Sequence, residues 1–166
     1  VELVEALHDL NPSANSAYYL GLLNDKKGDN KMAIQYYNES IDLETNNIKK
    51  AKTLYKIALK FKKSGQFTKS RSYANRALSF QPSLGSAYLL IANLYASSAN
   101  NCGNSQFDKR AIYWLAAKQA RKAAKVDASI RKTANKTALS YEGRAPSKTD
   151  IFTEGRAGET ISIKCW

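Results

Sequence analysis

The sequence predicts an all-α fold, an α-solenoid of antiparallel helix pairs that closes with a short extended or β-hairpin tail. Three observations carry that expectation. Apolar residues recur at helical rather than alternating spacing through most of the chain up to residue 141. Residues 51–84 read as two helices of similar length, broken at Ser64, Gly65 and Gln66 and stopped at Gln81 and Pro82. A similar unit stands on each side of this one, which is the signature of stacked repeats.

The 166 residues suffice for a real core, and 43% hydrophobic with 24% charged residues is ordinary for a globular protein. No apolar run approaches the length of a membrane-spanning helix, and no signal segment opens the chain. The chain opens on Val1 and stops at Trp166 inside an alternating stretch, so both ends are expected to be trimmed.

Taken in order, residues 1–11 form a short amphipathic helix with Leu3, Val4, Leu7 and Leu10 on one face, ending at Asn11 and Pro12. A first pair follows from residue 14, turning at Lys27, Gly28 and Asp29, with Met32, Ala33, Ile34, Tyr37, Ile41 and Leu43 lining its second helix. In the 51–84 pair the apolar positions are Leu54, Ile57, Ala58 and Phe61, then Phe67, Tyr73, Ala74, Ala77, Leu78 and Phe80. The third pair opens at Gly85 with a strongly apolar helix over 86–97. A polar loop over 97–106 and a long alanine-rich and basic helix over 107–126 follow. Residues 130–141 read as one more helix. Beyond Pro146 the pattern changes: 150–153 is expected to be extended, and 160–165 alternates with Ile161, Ile163 and Cys165 on one side. The expected division is a helical domain over 1–145 (partial repeat 1–13, repeats 14–50, 51–84 and 85–130, closing helix 130–142) and a tail over 146–166.

Aligned on their turns, the pairs share small residues in phase. These are Gly21, Ala33 and Ser40 in the first and Ala58, Ser70 and Ala77 in the second. After a 12-residue insertion, Ala92, Ala116 and Ala123 take the same places in the third. Small residues there let two helices approach closely, while larger ones between them fill the gaps. This pattern resembles the tetratricopeptide repeat across nearly all of residues 1–141. It departs from the family at Ala17, where a tryptophan is favoured. The segment running from Asn100, Asn101, Cys102 and Gly103 through 113–116 to the tail resembles a narrower group of tetratricopeptide proteins from gut-type Gram-negative bacteria. That resemblance implies a periplasmic or cell-envelope location.

No enzyme signature stands out. The single histidine, His8, has no second histidine to share a metal or relay and is read as a surface residue. The turns around Gly65 and Gly155 lack the strand–helix setting of a phosphate loop, and no cofactor or metal is expected. Cys102 and Cys165 lack metal-ligand spacing. If the chain is exported, as the resemblance implies, a disulfide between them would clip the tail onto the third pair; the other reading is two unpaired thiols.

Binding is the function the resemblance implies. In that family the first helix of each pair lines a concave groove of a right-handed superhelix. Its places fall here on Tyr18, Leu22 and Lys26, then Lys52, Tyr55, Leu59, Lys62 and Lys63, then Leu89 and Asn93, with Lys132 and Asn135 from the closing helix. An aromatic and aliphatic floor edged by lysines suits a protein or peptide with apolar anchors and acidic flanks. Packing between neighbouring helices is the other reading of Tyr18, Tyr55 and the leucines.

The +12 net charge is unevenly placed. Residues 1–44 carry eight acids against three lysines, 45–107 ten bases and no acid, and 108–166 thirteen bases and six acids. That asymmetry supports an alternative, binding of nucleic acid or another polyanion through the basic middle and C-terminal helices. Against it, the lysines are read as spread around the helices instead of forming one stripe.

Overall fold

The computed structural model describes residues 2–162, and the regular elements among them are all helical. Two compact units result, Val1–Gln81 and Pro82–Trp166.

The first unit holds α1 (Glu2–Leu10), α2 (Ala14–Lys27), α3 (Asn30–Leu43), α4 (Asn47–Lys63) and α5 (Phe67–Phe80). α2 packs against α3 and α4 against α5 as antiparallel hairpins, with α3 also touching α4 and α1 touching α2. The α2–α3 turn is set by Gly28 at φ +83°, and the Asp29 side chain then accepts the Met32 N–H to start α3. Gly65, at φ +74°, does the same for the α4–α5 turn. α4 starts before residue 51 because the Asn46 side chain accepts the N–H groups of Ile48 and Lys49, making 47–50 the first helical turn.

The small residues work as close-approach points. A Cβ built on Gly21 would lie 2.5 Å from Cδ1 of Tyr37, whose ring is fully buried. Ser40 donates to the Ala14 carbonyl at 2.8 Å and Ser70 to the Ala58 carbonyl at 2.7 Å. A hydroxyl at each helix contact is thereby satisfied by the facing backbone.

α1 differs from expectation. Its leucine face, Leu3, Leu7 and Leu10, is exposed, and the residue turned inward is His8, only 5% exposed. His8 is therefore not a surface histidine. Its ring nitrogens meet Ser16 Oγ at 2.7 Å and Glu39 Oε1 at 2.9 Å, and Tyr36 packs edge-on against it. Two hydrogen bonds compensate its desolvation, which the leucine pattern alone could not reveal.

The second unit holds α6 (Gly85–Ser98), a 3₁₀ turn (Ala99–Asn101), α7 (Gln106–Val126), a second 3₁₀ turn (Ala128–Ile130), α8 (Arg131–Glu142) and α9 (Lys148–Thr153). Its core is alanine-rich: Ala92, Ala116, Ala117, Ala120 and Ala138 meet around Tyr141, which brings α6, α7 and α8 close together. The insertion ends in a capping box between Ser105 and Asp108 that starts α7. Cys102 within it is fully buried beside Ala99 and Ile112.

Residues 150–153, expected to be extended, belong instead to the helix Lys148–Thr153. Ser147 and Asp150 form a second capping box, a local signal that outweighs the weak strand pattern. This stretch folds back on α7. Arg110 donates to the carbonyls of Arg144 and Ala145 and to Asp150, while Arg156 bonds Asp108 at 2.6 Å and Glu159 at 2.8 Å and covers the Phe107 ring. Residues 160–162 lie outside any regular element, and the rest of the expected strand, 163–166, lies outside the described residues.

Candidate partner-binding site

In the first unit α2 and α4 present the groove residues, and the lysines of α4 define it. Lys49, Lys52, Lys56, Lys60 and Lys63 recur at intervals of three and four and so fall on one stripe of the helix, while Lys50 and Lys62 stand off it. Lys56 lies 5.2 Å from the ring centres of both Tyr18 and Tyr37 and donates to the Tyr18 hydroxyl at 3.4 Å. Lys60 pairs with Asp25 and donates to Asn30 at 3.1 Å. Tyr37 donates to the other Asp25 oxygen at 3.3 Å. Burial first, then the Asp25 charge, hold the Tyr37 hydroxyl well above the ordinary phenol range, so it remains a donor at neutral pH.

This ladder ties α4 to the α2–α3 hairpin and leaves two depressions. The larger, about 760 Å³, is lined by Ile34, Leu59 and Phe61 with Lys56, Lys60 and Lys63 among its polar residues. Leu59 is 41% exposed there, an apolar side chain offered to solvent between cations. The smaller, about 290 Å³, is lined by Asn15, Tyr18, Tyr19, Glu44, Lys49 and Lys52. The Asn46 N–H, then the Lys49 charge, hold the Glu44 carboxyl below the usual carboxylate range.

The structure therefore sorts the expected groove residues. Leu59 and Lys63 meet in the larger depression, and Tyr18 and Lys52 in the smaller. Tyr18 is also engaged in packing, tilted against Tyr37 at 5.6 Å. Leu22, Tyr55 and Lys62 are half-buried and Lys26 is exposed, and none of the four lines either depression. In the second unit Leu89 packs against the alanine core, Asn93 and Lys132 are exposed, and Asn135 accepts from Arg121 at 3.1 Å. Cys165 lies outside the described residues. Lys56, Lys60 and Tyr19 were missed by the groove assignment. The three-and-four spacing of the α4 lysines was the signal that could have found the first two.

Among the described residues no group of three or more His, Cys, Asp or Glu is placed to hold a metal ion, and no helix is long and apolar enough to cross a membrane.

Against this geometry the comparison with known proteins is direct for one hairpin. Residues 14–47 match the tetratricopeptide repeat model. The matched repeat is the α2–α3 pair, the one that supplies Tyr18 and Asp25. The chain is also 32% identical over 98 residues to a photosystem I assembly protein Ycf3 of Prochlorococcus marinus (strain MIT 9312), covering 58% of this chain and 57% of that protein. It is 30% identical over 107 residues to the photosystem I assembly protein Ycf3 of Cyanophora paradoxa, covering 59% of this chain and 62% of that protein. The chain thus spans about three-fifths of the length of these curated relatives.

Proposed function

We propose that this chain is a non-catalytic scaffold that holds a peptide or protein segment along α2 and α4 of the first unit. The observation that carries the reading is the larger depression, lined by half-exposed Leu59 with Ile34 and Phe61 and by Lys56, Lys60 and Lys63. An apolar anchor fits that floor, and acidic neighbours in the ligand meet Lys63 at one end and Lys52 at the other. The tetratricopeptide match over α2 and α3, and relatives named as assembly proteins, support a scaffold role over a catalytic one. The resemblance of the tail supports a place in a periplasmic or cell-envelope assembly, which fractionation of cells making the full-length gene product tests.

Selection of a displayed random-peptide library on the immobilised chain tests the groove. The expected ligands pair a large apolar residue with acids, and Leu59→Ala and Lys63→Glu each weaken them about tenfold or more. Selected peptides that bind the double variant unchanged would place the site elsewhere. A polyanion in this groove is less well supported, because Lys56 and Lys60 are already engaged by Tyr18, Tyr37 and Asp25.

A further inference from the structure

We propose that the outer face of α7 is a docking surface for an anionic lipid bilayer, separate from the peptide groove. At about 100° per residue, Trp114, Leu115, Lys118, Arg121, Lys122 and Lys125 fall within an arc of roughly 120°. The opposite side of the same helix, Ile112, Ala116, Ala120 and Ala123, is buried in the core. The N-terminal part of the outer face, at Phe107 and Ala111, is buried, with Arg156 of the tail over the Phe107 ring, so the exposed surface begins at Trp114 and runs to Lys125. α7 itself puts no acid on it, since Asp108 and Asp127 cap the two ends of the helix and are engaged there, and Glu142 of α8 meets it at Arg121.

Charge on this face resolves by residue. Arg121 is held by both oxygens of Glu142 at 2.8 Å and by Asn135, so it is largely neutralised. Lys122 lies 4.7 Å over the Tyr88 ring, which leaves its charge in place on an exposed side chain. Lys118 and Lys125 are exposed on either side of it. At the N-terminal end of the row stand Trp114, 36% exposed and edge-on to Phe107, and Leu115, 38% exposed.

This combination fits a bilayer better than a nucleic acid. A rigid helix lying flat, with lysines along it and an indole and a leucine at one end, matches the headgroup layer in charge and polarity. Tryptophan is at home at that depth, and lysine ammonium groups meet lipid phosphates as point charges. A nucleic-acid strand favours free arginine forks and successive stacking rings. Here the one arginine is engaged by a carboxylate and a single indole is present.

The test is sedimentation of the full chain with vesicles of phosphatidylglycerol and phosphatidylcholine, against vesicles of phosphatidylcholine alone, at low and high salt. Pelleting is expected only with the anionic vesicles and at low salt, with the fluorescence of Trp114 shifted to the blue in a Trp166→Phe background. Each lysine neutralised weakens partitioning about fivefold, so K118Q/K122Q/K125Q loses about a hundredfold. The charge-reversed K118E/K122E/K125E does not pellet, with melting curves confirming that both variants fold. No pelleting of the parent with anionic vesicles overturns the proposal. So does undiminished pelleting of the folded glutamine variant, or displacement from the vesicles by single-stranded RNA at equal phosphate. Peptide binding at Leu59 is read out separately and is unaffected by these variants.

Discussion

His8 of α1 reaches Glu39 of α3 across 31 residues, with Nε2 at 2.9 Å from Oε1. A carboxylate only accepts, so Nε2 carries the proton and Nδ1 is left to the Ser16 hydroxyl at 2.7 Å. One ring thereby ties α1 to both helices of the matched repeat, while the leucines of α1 stay exposed. His8→Ala leaves Glu39 half-desolvated without its donor and is expected to cost about 1–3 kcal/mol in chemical denaturation. A change below about 0.5 kcal/mol, the range of an ordinary surface substitution, would show that α1 is not held by this ring.

The close approach of α2 and α3 gives a second expectation. Gly21→Ala places a methyl 2.5 Å from the Tyr37 ring, and that ring cannot simply swing away. It is fully buried, lies against Tyr18 and under Lys56, and its hydroxyl is bonded to Asp25. Overpacking of this kind costs about 1–3 kcal/mol. Because Tyr37 anchors the ladder beneath the groove, peptide affinity is expected to fall along with the melting temperature. A stable variant with unchanged affinity would separate the ladder from the site.

These two positions show what the sequence makes legible. Gly21, Ala33 and Ser40 announce helix contact by size alone, and the hairpins form where that pattern places them. Groove residues are less legible, because repeat position says which side a residue faces and not what it meets there. Tyr18, assigned to the groove by its repeat position, is covered by Lys56 from the next pair, a contact 38 residues away. The α4 lysines needed only their spacing to be counted. His8 and the helical 150–153 depart from the sequence expectation for different reasons. A buried polar side chain looks like a surface one until its partners are known, whereas the Ser147–Asp150 box is a local signal that outweighs the weak alternation beside it.

The fold-back of the tail on α7 has a pH signature. The Arg156 hydrogen bond, then those from Ser105, hold the Asp108 carboxyl below the usual carboxylate range. The Ser147 N–H and hydroxyl, then Arg110, do the same for Asp150. A depressed carboxylate favours the folded state in full above the unfolded value, near 3.9 for aspartate. That contribution is lost as pH falls through the lower folded value. The second unit is therefore expected to show flat thermal stability from neutrality down to about pH 5 and a decline below about pH 4. Asp108→Asn with Asp150→Asn is expected to lower stability at neutral pH and to flatten the acid decline. Melts of parent and variant that run parallel through acid would remove these two groups as the cause.

The same fold-back bears on the cysteines. Arg110 and Arg156 hold residues 144–159 against the start of α7, within the unit whose insertion buries Cys102. The chain leading to Cys165 therefore leaves from a stretch already fixed on the same unit, which lowers the entropy a Cys102–Cys165 bond would have to overcome. We expect the oxidised protein to carry this disulfide. In the loop-entropy account, closing a loop of this length stabilises by about 4 kcal/mol. Thiol titration in denaturant without reductant is expected to find no reactive thiol, and peptide mapping to recover the 102 and 165 segments joined. Reduction is then expected to lower the melting temperature of the parent but not of Cys102→Ser with Cys165→Ser. Two reactive thiols per chain in protein recovered from an oxidising compartment would end the proposal.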